Sequence, residues 1–347
     1  MIGSTAPPPS LRYVAELTDS NGIFEHVRLG RPRRENGYCT DDAGRLLALA
    51  SRLSSDPDAL RLADVALGFL ERAHLDGAGF RLRQSGDGAW TDDGPSDDAT
   101  GRALFGLGTA VAWAPWTDLR ERALALFDDA SSFRSHHLRA VAYAALGAVE
   151  LVSAKPANAG ARHLMVEASL RLNLTGANDS WPWPESRLSY ANALLTEASL
   201  SVAIVMGDQP RAADALHQLR WLVERETLDG HFSFTPVSGG DASASPPMFD
   251  QQPIEAWAMA DACARAFAYT HDLRWAQVVQ RAAAWFLGDN DVGVAVFDPV
   301  TGGGFDGLEA TGVNRNEGAE SSLAFVGTML RLREVTSQAA ASSASSK

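Results

Sequence analysis

Six long, nearly all-apolar segments alternating with shorter one-faced segments predict an all-α fold, a closed (α/α)6 toroid of six inner and about six outer helices. Three observations carry this expectation. The apolar segments recur along the whole chain, each opens on a polar or acidic residue, and the connections are asymmetric. Inner-to-outer links are short ("SSDPD", "GDQP", "THD"), whereas outer-to-inner links are long and rich in Gly, Trp and Pro. All the long links then fall on one rim, where the inner-helix N-termini would surround a common cleft.

The inner segments open at Asp41, Asp97, His136, Tyr190, Gln251 and Asn316. Their runs, such as "ALFGLGTAVAW" and "AVAYAALGAVELV", carry few charges and are apolar on most sides, as helices packed all round require. Between them lie "ALRLADVALGFLERA", "LRERALALF", "ARHLMVEASLRL", "PRAADALHQLRWLVERE" and "LRWAQVVQRAAAWFLG", each with one solvated face. That gives eleven clear helices; a short twelfth is expected within "LRYVAELTDS". Alternating stretches in two long links, "GFRLRQ" and "GHFSFTPV", are expected to form small hairpins. Residues 1–336 are read as one domain and the Ala/Ser tail 337–347 as disordered.

Composition narrows the function. A net charge of −13 with lysine only at 155 and 347 leaves no basic stripe for nucleic acid. Hydrophobic residues at 46% and charged residues at 21% suit a globular chain with a sizeable core. The opening "MIGSTAPPPS" lacks the basic head and apolar core of a signal peptide, and no run reads as a membrane span, so the expected compartment is cytoplasmic. Cys39 and Cys263 have no metal-ligand spacing and are expected to be buried, inert thiols. The sequence also lacks a phosphate-binding G-x-x-x-x-G-K-[ST], a Rossmann fingerprint and a complete calcium loop. No cofactor and no metal are expected.

"GYCTDDAGR", "SDDATGRALFGLG", "WPWPESRLSYANALLTEA", "FDQQPIEAW", "GGGFDGL" and "NRNEGAESSLAF" together resemble the (α/α)6-toroid carbohydrate-active proteins. More closely, they are similar to a bacterial module found alone or C-terminal to mannosyltransferase-type glycosyltransferase domains. The resemblance covers residues 37–326 and implies a carbohydrate context, with a glycosyltransferase as a potential partner.

Candidate residues follow from where carboxylates and aromatics meet these helix starts. In Asp41–Asp42 and Asp97–Asp98 the first acid is expected to cap its helix, leaving Asp42 and Asp98 to face the cleft as candidates to activate water. In "WPWPES", Trp181 and Trp183 are expected to offer flat faces to a sugar ring, and Glu185 between the prolines is the candidate general acid. Glu255 and Glu320 each lie four residues beyond a helix-mouth amide, Gln251 and Asn316, and are candidates for the second carboxylate. For both, the alternative is a buried Glu bonded to a neighbouring helix. Tyr190, Asn192, His26, Tyr38, His137, His231, Asp250, Gln252, Asp306 and Arg315 complete a polar set suited to a hydroxyl-rich ligand. The expected function is glycoside hydrolysis of an oligosaccharide, with mannose suggested by the resemblance. The alternatives are a sugar epimerase or isomerase using histidines, and a non-catalytic glycan-binding partner of a glycosyltransferase.

Overall fold

The computed structural model describes residues 6–173, 176, 178 and 180–345; the "MIGST" start, part of the link before Trp181 and the last two tail residues lie outside them. The chain divides into two compact units. The N-terminal unit comprises Leu11–Asn173 with Ser201–Gly207, and the C-terminal unit Met1–Ser10, Leu174–Leu200 and Asp208–Lys347.

The N-terminal unit begins with the short α1 (Arg12–Glu16), the expected twelfth helix. The strand pair β1 (Val27–Arg28) and β2 (Arg31–Pro32) leads to β3 (Tyr38–Cys39) and α2 (Thr40–Arg52). Next come α3 (Ala59–Ala73), β4 (His74–Leu75), β5 (Gly79–Phe80), β6 (Arg83–Gln84), α4 (Asp97–Trp113) and α5 (Thr117–Ala130). Finally α6 (Leu138–Ala154) is followed by α7 (Ala159–Arg171). Helix α4 packs on both α2 and α6, and α3, α5 and α7 each pack on the helix before them. The burial follows the sequence reading. Every residue of α4 from Ala99 to Val111 is buried, whereas α5 buries only the stripe Leu119, Ala123, Phe127 and Ala130.

Inner helices approach closely because glycines face one another. A Cβ on Gly106 would run into the main chain of Gly44, and one on Gly108 into that of Gly147. These glycines are required for lack of space, not for unusual backbone angles.

In the C-terminal unit, α8 (Asn192–Met206) starts the run, its last residues being counted with the other unit. Then follow α9 (Gln209–Arg225), β7 (Thr227–Leu228), β8 (His231–Phe232), α10 (Pro253–Thr270) and α11 (Leu273–Phe286). The hairpin β9 (Gly307–Glu309) and β10 (Gly312–Asn314) precedes α12 (Ala319–Ser345). Helix α10 packs on α9, α11 and α12.

Three local expectations are corrected. "GFRLRQ" is not a hairpin of its own: β5 turns back on β4, while β6 pairs with β3. In "GHFSFTPV" only β8 is a strand, and it pairs with β7 across Asp229–Gly230, whose φ values of 50° and 96° match the Asp-Gly two-residue hairpin turn. Residues 337–345, expected to be disordered, continue α12, consistent with alanine having the highest helix propensity. Cys39 and Cys263 are buried as expected, and that burial raises both thiol pKa values above the ordinary range, so neither is a ready nucleophile. Among the described residues no helix is long and apolar enough to cross a membrane.

Candidate active site

In the N-terminal unit the two acid pairs behave differently from the capping expectation. The residue before α2 is Cys39, which makes no side-chain cap, and α4 is capped by Ser96, whose hydroxyl accepts from Ala99 N–H at 3.4 Å. Serine precedes the acids in "SDD" and takes the cap, which pushes the aspartates into the first turn. Asp42, expected at the cleft, is 3% exposed and bonded to Arg45 Nη1 at 2.7 Å one turn along α2. Asp41 instead pairs with Arg102 Nη1 at 3.2 Å, and the same nitrogen lies 3.5 Å from Asp98 Oδ1. Arg102 also sits over the Tyr143 ring at 4.7 Å, so one guanidinium gathers α2, α4 and α6. Asp98 keeps a side chain 56% exposed, and Asp97 accepts from Ser135 Oγ at 2.6 Å.

The arginines of "DDAGR" and "DDATGR" are therefore the partners of the acids, a role the sequence reading did not give them. His26 and His137 are exposed. Tyr38 is not: it stacks on Phe24 in the core and its hydroxyl donates to Asp19 at 2.9 Å.

In the C-terminal unit, Glu255 realises its alternative as a buried bonded carboxylate. At 3% exposure it accepts from Ala191 N–H at 2.5 Å, Asn192 N–H at 3.0 Å and Asn192 Nδ2 at 3.2 Å. A carboxylate on α10 thus closes the N-terminus of α8, where free amides and the helix dipole favour negative charge. Asn192 Oδ1 accepts from Ser189 N–H at 2.9 Å and tightens the same turn.

Gln251 is equally committed. Its Oε1 accepts from Phe234 N–H and Trp285 Nε1, both at 3.1 Å, while Nε2 donates to Met248 O at 3.1 Å and Asp291 Oδ2 at 2.5 Å. Asp291 Oδ1 meets His231 Nε2 at 2.9 Å, so His231 is oriented by a carboxylate the sequence reading had passed over. Asp306 Oδ1 accepts from Gly318 N–H at 2.8 Å and shapes the entry to α12. Glu317, also missed, is buried and accepts from Thr301 at 2.7 Å. The expected tryptophan platform is corrected: Trp181 and Trp183 are 6% and 1% exposed and pack on Trp221 of α9, with centroids 5.0 and 6.0 Å away. The indole N–H of Trp181 donates to the main-chain oxygen of Glu185 at 2.8 Å and fixes that turn.

What stays within reach of solvent is a smaller set. Glu185, Tyr190, Gln252, Asn316 and Glu320 are half-buried, and Asp250 and Arg315 are exposed. Two of them are joined: the Tyr190 hydroxyl donates to Glu320 Oε2 at 2.6 Å, tying the start of α8 to the first turn of α12. Among the described residues no group of three or more His, Cys, Asp or Glu side chains is arranged to hold a metal ion.

No protein-family model and no curated protein matches the sequence. Solved structures do. Cellobiose 2-epimerase from Bacillus thermoamylovorans B4167 is similar with a TM-score of 0.71 at 14% identity, covering 97% of each chain. A sugar epimerase from a ruminal bacterium is similar at 0.71 and 13% identity, over 94% of this chain and 95% of that one. The GH76 α-mannanase of Bacteroides thetaiotaomicron gives 0.64 at 12% identity, over 94% of each. The fold is the (α/α)6 toroid. At such low identity the likeness extends to the fold alone, and the chemistry has to be argued from the residues of this chain.

Proposed function

We propose that the protein is a carbohydrate-active enzyme that hydrolyses glycosidic bonds, with its working carboxylates in the C-terminal unit. Glu320 activates the water and Glu185 protonates the leaving oxygen. The observation that carries this reading is the 2.6 Å bond from Tyr190 to a half-exposed Glu320. Glycoside hydrolysis needs two carboxyl groups that substrate can reach. Glu255 is buried and filled by three N–H donors, whereas Glu320 is oriented by a neutral hydroxyl and remains accessible. Glu185 sits in the turn that ends at Tyr190, and Gln252, Asn316 and Arg315 supply the amides and charge that recognise sugar hydroxyls.

An oligosaccharide is the proposed substrate, mannose-containing in the first instance. The sequence resemblance and the mannanase among the structural neighbours both support that choice. A second reading, epimerisation, is favoured by the two epimerases among the neighbours. Against it, His231 is already bound to Asp291.

The test is incubation with manno-, gluco- and galacto-oligosaccharides, with and without phosphate, read by mass spectrometry and NMR. Fragments that have gained water and that vanish in Glu320→Gln and in Glu185→Gln, with folding unchanged, support the hydrolase. Isomers of unchanged mass make it an epimerase, and sugar phosphates a phosphorylase. Glycan binding with no product points to the glycan-binding partner of a glycosyltransferase.

A further inference from the structure

Helix α9 ends on Arg225, and the next residue, Glu226, turns inward to 3% exposure. Its Oε1 accepts from the Thr235 N–H at 3.0 Å and the Thr235 hydroxyl at 2.5 Å. Above it, residues 236–248 form a strap over a small cavity of about 20 Å³, room for about one water, walled by Leu188, Glu226, Ser233, Thr235, Pro246 and Met248. Ser233, also 3% exposed, brings a hydroxyl to the same cavity that has no hydrogen-bond partner.

The strap is fastened by its main chain on two sides. Arg225 Nη2 donates to Asp241 O at 2.7 Å and Ala244 O at 3.0 Å. Leu188 and Gly240 exchange main-chain bonds of 2.7 and 3.0 Å, and Arg187 donates to Ser238 O. The strap is thereby clasped to the connection that carries Glu185 and Tyr190, and it runs on into Gln251 at the mouth of α10.

We propose that Glu226 is a proton-operated latch for the 236–248 strap: neutral, it lets the strap close dry over it; ionised, it draws water into the cavity and loosens the Leu188–Gly240 clasp. The surroundings of Glu226 favour its neutral form in the closed strap. An ionised carboxylate needs more than the two Thr235 donors, and the unpaired Ser233 hydroxyl offers a water a second anchor in the cavity. The charged groups around the latch are Arg225 on α9, Asp241 on the strap and Arg187 on the clasped connection. His231 on β8 is turned onto Asp291. Burial pushes the Glu226 pKa up to about 7, with the Thr235 bonds and Arg225 pulling the other way, so the latch works across neutrality.

Hydrogen exchange of the Leu188 and Gly240 amides between pH 6 and 8, corrected for intrinsic rates, tests the proposal. Protection is expected to fall roughly tenfold in the wild type and to stay level in Glu226→Gln. A flat wild-type profile, or the same slope in the variant, overturns it. If Glu226→Gln does not fold, the wild-type Glu226 carboxyl resonance decides. A midpoint near neutrality shared with the two amides supports the latch, and a midpoint in the ordinary glutamate range overturns it. An effect on turnover rests on the hydrolase reading, but exchange does not, so the two can fail separately.

Discussion

Asp41 and Asp42 show how much one helical position decides. Adjacent carboxylates on α2 point about 100° apart. One therefore meets Arg45 in the packed interior, while the other reaches Arg102 on the next inner helix. Breaking the buried member of that set strands a charge: Asp42→Asn is expected to cost about 3–5 kcal/mol, read by denaturant unfolding, whereas Asp98→Asn should change stability by less than about 1 kcal/mol. At the proposed site the order is reversed. Glu320→Gln should lower turnover at least about a hundredfold with an unchanged circular dichroism spectrum. Tyr190→Phe, which removes only the orienting hydroxyl, should cost roughly tenfold. Equal turnover in wild type and Glu320→Gln would remove that residue from the mechanism.

Helices in this chain are positioned by what lies at their ends and by what is missing from their sides. The start of α8 is held by Glu255 from a neighbouring helix, beside the local bond from Ser189 N–H to Asn192. Glu255→Ala leaves the Ala191 and Asn192 amides unpaired, at about 1–3 kcal/mol each. The first turn of α8 should then lose exchange protection before the rest of the helix does. On the sides, Gly108 lies against Gly147, and Gly108→Ala would force α4 and α6 apart. A cost of more than about 1–3 kcal/mol is expected, because main chain, unlike a side chain, cannot swing away. The apolar segments named every inner helix, and the connections separated inner from outer. Neither indicated that Glu255 serves α8 or that Trp181 and Trp183 are covered by Trp221, since both pairings join residues far apart in sequence.

Across the molecule the two units repeat a local device. "HLDG" after α3 and "TLDG" after α9 each form a short hairpin, and a histidine of each meets an aspartate further along the chain at 2.9 Å, Asp129 in the last turn of α5 or Asp291 in the connection after α11. Where Ala73 closes α3, the position before the second hairpin holds Glu226, and that difference carries a pH dependence. The folded-state pKa of Glu226 is raised from 4.5 to about 7, so the native state holds its proton more tightly than the unfolded chain does. Its contribution is therefore fully present below pH 4.5, declines as pH rises to about 7, and is constant above that. The loss is on the order of 3 kcal/mol. Unfolding melts at pH 5 and pH 8 should show a smaller difference in Glu226→Gln than in the wild type; equal differences would show that Glu226 does not titrate near neutrality.

The number and alternation of the helices, their start points to within about three residues, and the acid-plus-arginine openings were all determined by the sequence itself. These are local properties, written in periodicity and in which residues tolerate a helix's first turn. Which acids remain available for chemistry was decided by the tertiary structure alone. Asp42, Glu255 and Glu320 have the same chemistry and similar positions near helix starts. One faces an arginine on its own helix, one a neighbour's bare amides and one a tyrosine at the surface. Burial and partner set a carboxylate's role, and both are properties of the packing between helices that no single stretch of sequence contains.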